Sequence, residues 1–135
     1  MFYCLVVGSR TFNDYDLMCE KLDYLLMNYS QVAIVSGGAK GADTLAEKYA
    51  KEHNYPLRVY KADWNAYGKR AGFLRNEEMH KCISIYENKG VVAFWDGNSS
   101  GTAHNFELAI KYNNPIRIYN YVTGCFITNP LSGIS

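Results

Sequence analysis

Short apolar runs alternate with amphipathic stretches along this chain. The first run, residues 2–7, is continuously apolar and closes on Gly8-Ser9-Arg10. A run without polar alternation suits a central strand of a parallel sheet, buried on both faces. Asn13 or Asp14 is placed to cap the next helix, with Asp16 and Glu20 in its early turns. Met18, Leu22, Leu25 and Tyr29 fall at helical spacing and give it one apolar face. Residues 32–35 form a second strand, closed by Ser36-Gly37-Gly38-Ala39. A helix over 42–53 turns Leu45, Ala46 and Tyr49 inward. A strand at 57–60, a polar loop at 61–71 and a helix at 74–85 come next. A strand at 91–95, a second glycine-rich turn at 96–101 and a helix at 102–112 follow. Asn113-Asn114-Pro115 breaks that helix before a fifth strand at 116–119.

Strands alternating with helices imply right-handed crossovers and a three-layer α/β fold with a mostly parallel central sheet of about five strands. Residues 1–119 read as one domain. Residues 120–135 form a tail in which Phe126 and Ile127 suit an edge strand or a cover for a partner surface.

Composition narrows the function classes. A chain of 135 residues, 48% hydrophobic, can bury a core without disulfides or metal. Net charge is +1, from 14 Lys and Arg against 13 Asp and Glu. That balance offers no basic stripe for a duplex, so nucleic acid is not an expected partner. It leaves room for a small anion, which one helix N-terminus and one Arg can hold locally. Cys4, Cys19, Cys82 and Cys125 lie far apart with no Cys/His cluster, so neither a metal site nor a cofactor is expected. With no signal-like segment and no apolar run of bilayer length, a cytoplasmic protein with four free, mostly buried thiols and no membrane contact is expected. The 12 tyrosines are compatible with a homodimer contact.

The candidate chemistry sits in the two glycine-rich turns. The first, Ser36-Gly37-Gly38-Ala39-Lys40-Gly41-Ala42-Asp43, follows a strand and opens a helix. Glycines leave no side chain between backbone amides and a ligand, and a helix N-terminus carries unpaired N–H groups. The second, Asp96-Gly97-Asn98-Ser99-Ser100-Gly101-Thr102, has the same context. Either alone is as well explained by a tight packing turn. Both, however, leave the C-terminal edge of one parallel sheet, where open α/β sheets bind ligands. Gly8, Ser9 and Arg10 belong to that edge, and Arg75 and Asn76 begin a helix reached from it. Trp64, Tyr67 and Trp95 offer flat faces for a base, Trp64 being favoured because its loop is polar.

These residues also carry a resemblance. Gly8-Ser9-Arg10 with Phe12 and Asp14, the run from Ser36 to Asp43 with Leu45-Ala46, Ala62-Asp63-Trp64, Ala71-Gly72, Arg75-Asn76 with Met79, and Asp96-Gly97 with Gly101-Thr102 occur in order. Together they resemble small YspA- and YpsA-related SLOG proteins of bacteria and phages over residues 2–119. The resemblance implies a Rossmann-like, nucleotide-binding domain. It also implies a distant relation to LOG-type phosphoribohydrolases and to the DNA-processing protein DprA. In LOG-type enzymes an Arg precedes a Met by four positions, as Arg75 precedes Met79. A P-G-G-x-G-T turn there leads to a catalytic Glu three residues on. Here the turn is longer and lacks the Pro, and the third residue after Thr102 is Asn105. Arg75 and Glu107 therefore stand as the catalytic candidates, with Asp43 and Asp63 as ribose-binding or helix-capping carboxylates and His104 as a further titratable group.

The favoured expectation is a sensor or sequestering protein for an adenine nucleotide or an ADP-ribose-type ligand. Glycosidic cleavage of a nucleoside monophosphate is the alternative, and a DprA-like DNA-processing role is less favoured.

Overall fold

Six strands and five α-helices make up residues 1–128, the part of the chain described by the computed structural model. β1 spans Phe2–Gly8, α1 Tyr15–Leu26, β2 Val32–Ser36, α2 Ala42–Glu52 and β3 Leu57–Val59. A single helical turn, α3 (Trp64–Tyr67), and a 3-10 turn (Gly68–Arg70) lead into α4 (Ala71–Ser84). β4 (Lys89–Trp95), α5 (Ser100–Lys111), β5 (Ile116–Asn120) and β6 (Cys125–Thr128) complete the order.

The strands form one sheet in the order β3-β2-β1-β4-β5-β6. The first five run parallel, and β6 returns antiparallel to β5, with Phe126 opposite Tyr119. The chain thus builds outward from β1 in one direction, then jumps back to β4 and builds outward in the other. The connections beyond β1 and β4 diverge and leave a crevice at the C-terminal ends of those strands.

Alternate residues of β1 feed opposite cores, which is why its sequence shows no polar alternation. Cys4 and Val6 pack with Met18, Leu22, Ala46 and Tyr49 beneath α1 and α2. Leu5 and Val7 pack with Met79, Ile83 and Phe106 beneath α4 and α5. Gly8 ends the strand where there is no room for a side chain. A Cβ there would lie 2.5 Å from both Ala42 Cβ and the Phe94 carbonyl oxygen.

Several expectations change. Asp14 caps α1 by accepting from the Leu17 amide at 3.0 Å, but the buried stripe is Met18, Leu22 and Leu26. Leu25 is half-buried. Tyr29 lies beyond the helix end, exposed and stacked on Phe2 with ring centroids 4.1 Å apart. The stretch 61–71 is not a loop throughout. Asp63 caps α3 by accepting from the Ala66 amide, and α4 begins three residues ahead of Leu74. None of the α3 residues is buried, so no apolar periodicity marks it. All four cysteines are free, but only Cys4 is buried. Cys19 and Cys82 are partly exposed, on α1 and α4, and Cys125 is exposed at the start of β6. The tail positions 129–135 lie outside the described residues. No helix among the described residues is long and apolar enough to cross a membrane.

Candidate functional site

Two adjoining hollows open at the crevice between β1 and β4. The larger, about 510 Å³, is walled by Gly8–Arg10 after β1, by Ala39 and Asp43, by Trp64, and by Asp96 and Ser99–Thr102 after β4. α4 contributes Gly72, Phe73, Arg75, Asn76 and Met79, and α5 contributes Asn105. The smaller, about 430 Å³, lies over the first glycine-rich turn and shares Arg10, Ala39, Trp64 and Arg75 with its neighbour.

The two turns differ in what they leave open. In the first, Ser36 is fully buried, and its hydroxyl bonds the Asp43 carbonyl and the Glu47 carboxylate, both at 3.1 Å. The Gly38 amide donates to Ser36 Oγ and the Ala39 amide to Asp43 Oδ2. The Ala42 amide donates to the Ser9 carbonyl, and Ala42 is buried beneath Gly8. Gly41 meets the backbone of Ser9 and Arg10 rather than a hollow. Part of the first turn is therefore tied to the protein's own groups, while Gly37, Gly38, Ala39 and Lys40 line the smaller hollow.

In the second turn, Asp96 Oδ1 accepts from the amides of Asn98 and Ser99, both at 2.8 Å, which holds its pKa below the usual carboxylate range. Ser99 caps α5, its hydroxyl bonding both the amide and the hydroxyl of Thr102. Gly97 supplies the turn at φ +89° and does not line either hollow. The Ser100 and Gly101 amides find no partner among the described residues. They are the open end of a 12-residue helix facing the larger hollow.

Arg75 stands between the hollows. Its Nη1 donates to the Gly37 carbonyl and its Nε to Asn76 Oδ1 at 2.9 Å. Burial lowers its pKa, with Asp43 acting in the opposite sense. A guanidinium keeps its charge under such a shift. Arg10 crosses from the other side, 5.8 Å from the Trp64 ring.

Asn105, where the resemblance expects a catalytic Glu, is buried in the hollow's wall and held by a directed chain. Asn114 Nδ2 donates to His80 Nδ1 at 3.3 Å, His80 Nε2 to Asn105 Oδ1 at 3.0 Å, and Asn105 Nδ2 to the Gly101 carbonyl at 3.3 Å. His80 is fully buried, and burial holds its pKa down to about 4.

Other candidates fall away from the crevice. Glu107 is exposed on the outer side of α5, two residues past Asn105 and so turned about 200° around the helix. It cannot act in the hollow. Asp63 is used as the α3 cap. Trp95 is spent on structure, donating to the Ser99 carbonyl and packing edge-on against Phe106. Tyr67 is exposed outside both hollows. His104 packs against Phe73, and burial lowers its pKa. Conversely, Thr11, Lys69, Phe73, Lys40 and Lys61 line the hollows without having been singled out in the sequence. Lys61 follows β3, so the edge rule that selects Arg10 would have found it.

Asp43 and His80 oppose each other in acid. Burial pushes the Asp43 carboxyl up to about 6, so the folded state takes up a proton there before the unfolded chain does. Its contribution to stability is fully present below its unfolded pKa and lost as pH rises through 6. His80 is depressed, so its contribution is present above about 6.5 and lost as pH falls through 4. Between pH 4 and 6 the two slopes cancel. Asp43→Asn removes one of them. Urea unfolding at pH 6.5, 5.5 and 4.5 should show the variant losing roughly 1 kcal/mol per pH unit more than wild type. Parallel pH profiles would refute the assignment.

The model of the YspA, cpYpsA-related SLOG family matches residues 4–67. The chain is 34% identical over 118 residues to the Gene 61 protein of Mycobacterium phage D29, covering 83% of this chain and 91% of that protein. The crystal structure of a predicted subunit of tRNA methyltransferase from Methanocaldococcus jannaschii aligns over 100% of this chain and 72% of its own. It does so at 16% identity and a TM-score of 0.41.

Proposed function

The chain belongs to the YspA, cpYpsA-related SLOG family, and from its crevice we propose that it binds a nucleotide-type ligand as a sensor or sequestering protein. One observation carries this reading. Two guanidinium groups, Arg10 and Arg75, and the open amides of Ser100 and Gly101 converge on one hollow at the strand-order switch. A phosphate is the group that satisfies such a donor set, because planar N–H forks and helix-end amides both favour a compact anion. Trp64, 49% exposed, and Phe73, 50% exposed, line the same hollow and supply aromatic surface for a base. An adenine nucleotide or ADP-ribose-type ligand fits this combination.

Gly101 offers the cleanest test. A Cβ built there meets nothing within 4 Å, and the residue lines the hollow. Leucine also has higher helix propensity than glycine, by roughly 0.5–1 kcal/mol. Gly101→Leu should therefore melt at or above the wild-type temperature while losing at least tenfold in calorimetric affinity for AMP or ADP. Undiminished affinity would move the ligand elsewhere. Gly38 is a poorer choice. Its φ of +69° and the side chains of Lys61 and Val59, 3.0 Å from a built Cβ, couple any substitution to the fold.

A second reading, hydrolysis of an N-glycosidic bond, is favoured by Asp43. Its carboxyl lines the hollow with a pKa near 6, suited to handing a proton to a departing base and taking one back from the water that adds to the sugar. Chromatography of AMP incubated with the protein tests it. Free adenine from wild type, absent with Asp43→Asn, would establish cleavage. Intact AMP would leave the binding reading alone.

A further inference from the structure

The smaller hollow has a charge pattern that a single phosphate does not explain. Four cationic side chains line it: Arg10, Lys40, Lys61 and Arg75. They come from four separate segments, following β1, β2 and β3 and within α4. No carboxylate lines it, whereas Asp43 and Asp96 both face the larger hollow. None of the four cations forms a salt bridge among the described residues, where the ion pairs join Lys21 to Glu20, His53 to Asp23 and Lys111 to Glu77. In a chain of net charge +1, that concentration is local. Such like charges repel one another and persist at low cost only where an anion offsets them.

The two hollows share Arg10 and Arg75 as a common wall. An anion held by those guanidiniums therefore borders both hollows. We propose that the ligand is a nucleoside carrying a pyrophosphate, free or further esterified. Its base and sugar lie in the larger hollow and its second phosphate lies among Lys40, Lys61 and the shared arginines. This rests on the nucleotide-binding reading above and specifies its ligand class. Gly38 lines the smaller hollow with the Lys61 side chain packed over it, a built Cβ lying 3.0 Å from Lys61 Cγ.

The test is calorimetric titration with the mono- and diphosphates of adenosine, guanosine, cytidine and uridine. It uses wild type and the double variant Lys40→Ala/Lys61→Ala. Both lysines are exposed, so the variant should fold, and a thermal melt checks it. For the preferred base, wild type should bind the diphosphate at least tenfold more tightly than the monophosphate. In the double variant that ratio should fall to about twofold or less. Equal affinity of wild type for mono- and diphosphate would overturn this inference and leave nucleotide binding standing. A preference that survives in the double variant would also overturn it, placing the second phosphate elsewhere. Failure of every nucleotide to bind wild type would overturn the underlying reading as well.

Discussion

Replacing Arg75 with alanine is expected to lower nucleotide affinity by a hundredfold or more, about 3 kcal/mol, the range lost when charge-assisted hydrogen bonds to an anion are removed. Arg75 is the side chain that both hollows share from the α4 side, and its fork is held in place at two points. Nε donates to Asn76 and Nη1 to the Gly37 carbonyl, which fixes the guanidinium plane before any ligand arrives. Pre-organisation of this kind removes the entropic cost of ordering a long side chain on binding. Arg75→Lys should rescue little, since an ammonium cannot keep both tethers and still offer a planar face. The alanine variant also leaves the Gly37 carbonyl without its donor, so a modest fall in melting temperature is expected beside the affinity loss. Calorimetry with ADP on folded protein separates the two effects. Wild-type affinity in Arg75→Ala would remove the arginine from the site.

The largest effect on stability is expected at Gly41. Its backbone sits at φ +77° and ψ −125°, a region that side chains rarely enter. A Cβ there would lie 2.4 Å from the carbonyl oxygens of both Ser9 and Arg10. Those atoms are backbone, and Ser9 is buried with its carbonyl accepting from the Phe12 and Ala42 amides, so they cannot step aside cheaply. Gly41→Ala should cost about 3–5 kcal/mol, combining conformational strain with a clash between main-chain segments. In a domain of this size that is roughly 10 °C or more in melting temperature. It should also shift Arg10 relative to Arg75. Gly101→Ala is the internal control, with open space at its Cβ and a gain in helix propensity. Equal melting temperatures for the two alanine variants would contradict the close approach at Gly41.

How much of this was legible in the sequence depends on where the determining contacts lie. β1, β2 and β4 are buried on both faces, so their continuous apolar runs announced central strands. The glycine turns behind β2 and β4 then placed both turns on one edge. The order β3-β2-β1-β4-β5 is not legible in the same way, because the crossover rule fixes the hand of each connection and other doubly wound orders satisfy it equally. α3 was invisible because it buries nothing. Its only sequence signal is the Asp63 cap, which reads equally as a loop carboxylate. The first turn is legible only in part, for a related reason. Ser36, Gly41 and Asp43 have the composition of an anion cradle, yet Asp43 turns back on the Ala39 amide, a side-chain choice that spacing alone does not reveal. Glu107 lies five residues after Thr102, off the face where the resemblance expects a catalytic carboxylate. Helix geometry turns it outward and puts Asn105 in the wall instead. The second hollow depends on Lys40 and Lys61 meeting in space from different loops.

The central claim is that a phosphate-bearing ligand sits between Arg10, Arg75 and the start of α5. Amide chemical-shift mapping on isotopically labelled protein titrated with ADP tests it most directly. The largest shifts should fall on Gly8–Arg10, Gly37–Ala39 and Ser99–Thr102, with Ser100 and Gly101 leading because their N–H groups are the open donors. Saturable shifts confined to another surface, or none at millimolar ADP, would contradict it.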